Sequence, residues 1–159
     1  MKALVTTLYL MTMTYMIYGQ SMIAKTYVEQ TFYTPKVGTA IGYKFAGDYE
    51  IGGFVQKSTV DLQAEDGRPL HYEKEFIGAF FSYPMLTAYK TEVQMKVRTG
   101  ITNMQNFTIT PSVHANYKPA QVITIGAGVG VRAFKPTFMA SLQINLYGKK
   151  NRMLLSSVE

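Results

Sequence analysis

The sequence predicts an all-β chain closed into an up-and-down antiparallel barrel of eight strands, and three observations carry that prediction. From residue 36 onward, side chains alternate between two chemical characters with period two, as strands with unlike faces do. Helical spacing is nowhere sustained. Short turn signals separate the alternating runs, so each run joins its successor as a hairpin.

In chain order, a first strand can be read over 26–34, turning at Pro35. Over 37–46, Val37, Thr39, Ile41, Tyr43 and Phe45 alternate with Gly38, Ala40, Gly42, Lys44 and Ala46. The runs 49–60 and 71–83 are broken by Gly52-Gly53 and Phe80-Phe81, which read as bulges. In 87–102, Tyr89, Thr91, Val93, Met95, Val97, Thr99 and Ile101 oppose Lys90, Glu92, Gln94, Lys96 and Arg98, so one face is greasy and the other ionic. The same division recurs over 106–117, 120–134 and 137–147. The expected turns are Gly47-Asp48, 82–85, 103–105, Lys118-Pro119 and Lys135-Pro136.

Composition narrows the class. A length of 159 residues is one domain's worth, and 47% hydrophobic against 16% charged residues is too apolar for disorder. The absence of cysteine excludes a disulfide scaffold, a Cys-based zinc site and a thiol nucleophile. Residues 1–20 read as a secretory signal peptide: Lys2, an uncharged run over 3–18, then small residues at Gly19 and Ser21. The rest divides into a barrel domain over 21–148 and a short basic tail over 149–159 carrying Lys149, Lys150 and Arg152.

Alternation alone leaves two facings open, a soluble barrel with an apolar interior and a membrane barrel turned inside out. Predicted strands of roughly 10 to 15 residues exceed the soluble mode of about 5 to 6 and suit a tilted transmembrane strand of about 9 to 11. Aromatic residues gather toward strand ends at Tyr89, Phe107, Tyr117, Phe134, Phe138 and Tyr147. Small residues on the polar face, Gly38, Gly42, Gly126, Gly128 and Gly130, suit a narrow filled lumen. These features favour the transmembrane facing. Val93, Met95, Val97, Ile109, Val113, Ile125, Val129, Leu142 and Ile144 would then face lipid. Lys44, Lys90, Glu92, Lys96, Arg98 and Arg132 would form an ionic network in the lumen, with Glu92 bridging Arg98 or Arg132.

On this pattern, over roughly residues 26–147, the chain resembles the small eight-stranded outer-membrane β-barrel proteins of Gram-negative bacteria. It departs from them at the end, where many such barrels finish on a terminal aromatic and Tyr147 is instead followed by twelve residues. The resemblance implies an outer-membrane location, periplasmic chain ends, and outward loops near 34–36, 61–70, 103–105 and 135–136. Implied partners are membrane lipids and lipopolysaccharide, with other envelope proteins possible. The role it suggests is structural, adhesive or accessory, without an open pore.

Two rivals remain: a soluble periplasmic or secreted barrel binding an apolar ligand, and a lipid-modifying barrel enzyme. The second would rest on Ser112 and His114, two residues apart on one face, but a triad needs an acidic partner as well. His71 is the other histidine, and neither has a metal-ligand cluster around it. Gly126, Gly128 and Gly130 alternate inside a strand with no helix following, so they form no phosphate loop. The acidic stretch 61–75 reads as a solvated loop. A pI of about 9.4 arises from cations spread along strands, which excludes a nucleic-acid patch. No catalytic residue, cofactor or metal is assigned.

Overall fold

The computed structural model describes residues 21–31, 34–45, 47–60 and 74–146. The signal peptide over 1–20, His71, most of the acidic stretch, Tyr147 and the basic tail lie outside these residues. Eight strands follow in order: β1 (Ser21–Gln30), β2 (Pro35–Lys44), β3 (Glu50–Ser58), β4 (Glu75–Ala88), β5 (Thr91–Thr102), β6 (Asn106–Tyr117), β7 (Ile123–Arg132) and β8 (Lys135–Asn145). Each pairs antiparallel with its neighbour in sequence, and β1 pairs with β8 to close the barrel. Closure gives every strand a partner on both sides, so no edge is left exposed.

The structure corrects the sequence reading at four points. The first strand is Ser21–Gln30 instead of 26–34, because its inward face mixes Ile23 and Tyr27 with Lys25 and Glu29, a combination that a simple apolar-polar pattern conceals. The doublets are not bulges. Pairing runs without a shift through Gly52↔Phe80 and Gly53↔Ala79, and Phe80 points in while Phe81 points out. The expected turn at 82–85 lies inside β4, whose register shifts between Pro84 and Leu86. A proline donates no ladder bond, and the skipped residue beside it, Met85, is how the strand tolerates it. The hairpin instead turns at Tyr89-Lys90, where Tyr89 has φ 49°. The last turn is Ala133-Phe134, with φ of 47° and 63°, instead of Lys135-Pro136. Asn103 and Met104, at 49° and 59°, also have positive φ, within the three-residue connection 103–105.

Hairpins 31–34, 59–74, 103–105 and 133–134 share one end, here called the loop end. The start of β1, the end of β8 and the turns 45–49, 89–90 and 118–122 share the other, the termini end.

Eight strands enclose a space just wide enough for side chains to fill. Phe54, Phe76 and Phe80 take much of it, and glycines face one another where the wall must yield. Gly42 pairs with Gly52, and Gly78 with Gly100. A Cβ on Gly78 would collide with the carbonyl oxygen of Thr99 and the Cα of Gly100. Outward-pointing Gly53 differs: the nearest atom to a Cβ there is the Gly78 oxygen at 3.7 Å. Gly78→Val should therefore cost about 1–3 kcal/mol or more through overpacking and reduce the folded fraction, whereas Gly53→Ala should fold normally. Gel mobility without boiling measures this, and equal behaviour of the two would contradict the packing.

Candidate functional site

Functional chemistry has two places to reside in this barrel, the lumen and the outer wall. The lumen is built from the inward half of each strand, and its charged groups form three separate clusters.

Toward the loop end, Glu29 of β1 is fully buried and draws together groups from across the barrel. Its carboxylate lies 2.8 Å from Arg98 Nη2 and 3.2 Å from Arg132 Nη2. Gln56 Nε2 donates to it at 2.8 Å. Arg132 also donates to Gln56 Oε1 at 2.9 Å and, through Nε, to Thr110 Oγ1 at 3.3 Å, while its guanidinium lies 4.4 Å from the Phe76 ring centre. Side chains from β1, β3, β4, β5, β6 and β7 thus meet in one knot.

At the termini end, Glu92 lies 2.5 Å from Lys118 Nζ and 3.6 Å from Lys44 Nζ, and Gln94 Nε2 donates to it at 2.6 Å. Lys44 also pairs with Asp48 at 2.8 Å. Between the two ends, Glu50 takes Lys25 at 3.2 Å and a hydrogen bond from Gln143 at 3.1 Å.

The structure brings Lys44 and Glu92 together, places Arg98 and Arg132 in a different cluster, and buries Lys96 between them. The expected bridge from Glu92 to Arg98 or Arg132 is corrected. Arg98 is six residues along β5 from Glu92, which is about 20 Å, so the two sit near opposite ends. Lys90 is also corrected: the turn at 89–90 carries it out of the lumen, where it is exposed with its ammonium 5.7 Å from the Tyr89 ring. Lys25, Glu29 and Glu50 are interior charges that the sequence reading missed. The alternation Ile23, Lys25, Tyr27, Glu29 was the signal available for two of them.

Ser112 Oγ and His114 Nε2 are 3.1 Å apart, both buried. Among the described residues no carboxylate hydrogen-bonds to His114, so the pair lacks the third member of a hydrolytic triad and faces a sealed interior. No group of three or more metal-ligating side chains occurs among the described residues.

The outer wall is chemically opposite. Val93, Met95, Val97, Ile109, Val113, Ile125, Val129, Leu142 and Ile144 all point outward. Among the described strand residues, the outward charges are Lys57 and Glu75, both at the loop end and 3.4 Å apart, while Lys135 is exposed at the loop-end rim opposite Arg132. Aromatic rings mark both ends. Tyr43, Tyr49, Phe81, Tyr83 and Tyr117 lie toward the termini end, with Tyr49 packed 5.4 Å from Tyr83 and 6.3 Å from Phe81; Phe107, Phe134 and Phe138 lie toward the loop end.

A charge-free band between two aromatic rings, wrapped around an ionic core, is the inverse of a water-soluble barrel. Solved structures agree at the level of fold. The de novo designed transmembrane β-barrels match with a TM-score of 0.64 at 8% identity, covering 79% of this chain and 95% of theirs. The chain shares its fold with small eight-stranded transmembrane barrels. A second design, TMB2.3, solved by solution NMR, matches at 0.63 and 7% identity over 81% of this chain and 96% of its own. The Yersinia pestis outer membrane protein Ail in a phospholipid bilayer nanodisc matches at 0.51 and 12% identity, over 79% and 98%. No protein-family description and no curated protein matches the chain.

The Glu29 knot yields a stability prediction. Glu29→Ala would leave Arg98 and Arg132 buried without their carboxylate, a loss of about 3–5 kcal/mol. Glu92→Ala should cost less, since Lys118 is 29% exposed and can turn to water. Urea unfolding of the two variants in detergent micelles measures the order, and a larger loss for Glu92→Ala would contradict it.

Proposed function

We propose that this chain is a non-enzymatic outer-membrane barrel with a structural, adhesive or accessory-subunit role, exported through a cleaved signal peptide and carrying no open pore. The observation that carries the proposal is the outward band: between the two aromatic rings the described strands present no charge to their surroundings. An Arg or Lys side chain at mid-depth in hydrocarbon costs about 2–4 kcal/mol, and Asp or Glu is also unfavourable there, so a lipid-facing wall must exclude charge. The aromatic residues would sit at the two headgroup levels, where their apolar bodies and polar tips are both satisfied. Membrane lipids and lipopolysaccharide are the partners this surface suits.

The filled interior supports a role other than transport. Three ion-pair clusters and the phenylalanines cross the lumen, and the side chains of Glu29, Gln56, Gln94 and Thr110 are at most 1% exposed. An enzymatic role on lipid has the Ser112–His114 contact in its favour, yet that pair points away from the surface where lipid would lie.

Membrane fractionation with gel mobility before and after boiling tests the location, and paired arginine variants test the facing. Val97→Arg, at the middle of β5, should lower the yield of folded barrel by about 2–4 kcal/mol equivalent, while Ile101→Arg, near the loop-end ring, should cost about 0–1 kcal/mol. Recovery of the wild-type chain from the soluble periplasm, with both variants equally tolerated, would reverse the proposal.

A further inference from the structure

A small void remains in the lumen between the Glu29 knot and the Glu92 cluster. Its volume is about 20 Å³, room for one water-sized occupant. Lys25, Lys96, Tyr27, Phe54, Phe80 and His114 contribute to its lining. Lys96 is 5% exposed; among the described residues no carboxylate forms an ion pair with it, and the one that acts on it, Glu50, already pairs with Lys25. The Lys96 ammonium lies 5.7 Å from the Phe80 ring centre, and that of Lys25 lies 6.0 Å from the same ring. His114 Nδ1, also buried, has no hydrogen-bond partner. The charged groups acting on His114 are Lys96, Lys25 and Arg98, all cations.

The described interior carboxylates are already engaged. Glu29 holds Arg98, Arg132 and Gln56; Glu92 holds Lys44, Lys118 and Gln94; Glu50 holds Lys25 and Gln143. Lys25 and Lys96 thus share the one carboxylate of Glu50, which also acts on Lys44, and buried ammonium groups that outnumber their counter-charge are costly in a protein interior.

We propose that this void is a binding site for one monatomic anion, a halide such as chloride, held by the Lys96 and Lys25 ammonium groups beside the Phe80 ring. The site supplies negative charge beyond what Glu50 alone provides to the two lysines. A halide is comparable in size to the water-sized occupant for which the void has room. The charged groups of its lining, Lys25, Lys96 and Arg98, are all cations, so an occupant that carries negative charge is favoured there over a neutral one. Because the lumen is filled on either side, the anion would enter as the barrel closes and be retained.

The test is to fold the mature chain in detergent micelles with bromide at about 0.15 M as the halide and locate bromine by anomalous diffraction. One peak in the void beside Lys96 Nζ is expected, and no such peak in Lys96→Met. Thermal unfolding gives an independent reading. Sulfate stabilises proteins generally, so the decisive quantity is the shift in midpoint on exchanging sulfate for bromide at equal ionic strength, compared between wild type and Lys96→Met. A halide-specific gain present in wild type and lost in the variant supports the site. A void that is empty or holds water in wild type at that concentration, or a peak that requires far higher bromide, overturns it. If Lys96→Met does not fold, the wild-type map decides alone.

Discussion

Closing eight strands on themselves leaves a lumen that side chains must fill, and the rest of this molecule follows from that constraint. A strand contributes every second residue to the interior, so bulk on one strand must be met by its absence on the next. Phe80 faces in where Gly52 pairs with it, and His114 faces in where Gly128 pairs with it. A Cβ on Gly128 would run into the His114 ring. Glycine at these positions is a packing requirement, and its cost in strand propensity is offset by the ring it admits.

Filling the lumen with charge adds a second requirement, that every ion be answered. Water cannot solvate groups that are at most a few per cent exposed, so each cation needs a carboxylate, a ring face or an ion. The Glu29 knot satisfies this for two guanidiniums at once, using both carboxylate oxygens and a glutamine. It also ties strands that are not neighbours in the ladder: β1 to β5 and β7, and β3 to β7. Ladder hydrogen bonds hold adjacent strands together, whereas these cross-lumen pairs fix the barrel's cross-section. Such pairs are weak contributors to net stability and strong penalties when half removed, so their effect is to specify one packing over others.

Much of the architecture was legible because period-two alternation survives any chemistry on the two faces. Strand β6 was readable to the residue and β5 at its C-terminal end, since their outward faces are largely apolar and their inward faces polar, whereas the start of β5 was read four residues early. Where the inward face carries both aromatics and ions, as in β1 and β3, or aromatics opposite an equally apolar outer face, as in β4, polarity no longer distinguishes inside from outside and the boundaries drift. The Pro84 turn signal misled for a related reason: a bulge lets proline sit within a strand, and that register shift is invisible until the partner strand is known. The ionic pairings were the least legible part. Glu92, Arg98 and Arg132 share the polar parity of their strands, yet which carboxylate meets which guanidinium depends on height along the barrel, and that requires the register of all eight strands.

The two ends of the barrel bear on what role it could serve. At the loop end three connections are tight, spanning 31–34, 103–105 and 133–134, and one is long, spanning 59–74. Tight turns present backbone and one or two side chains, too little for a specific interface of the usual extent. Recognition at that end would therefore fall to the 59–74 connection, whose sequence concentrates acidic residues at Asp61, Glu65, Asp66 and Glu73. An adhesive role would accordingly favour a cationic partner there. A subunit role would instead use the wall, where Gly53, Ala79 and Thr99 pair across β3, β4 and β5 as a band of small outward residues that another barrel could approach closely. The first role depends on one loop and the second on the lipid-facing surface, so a replacement of the loop and a replacement of the wall separate them without disturbing the lumen that holds the barrel together.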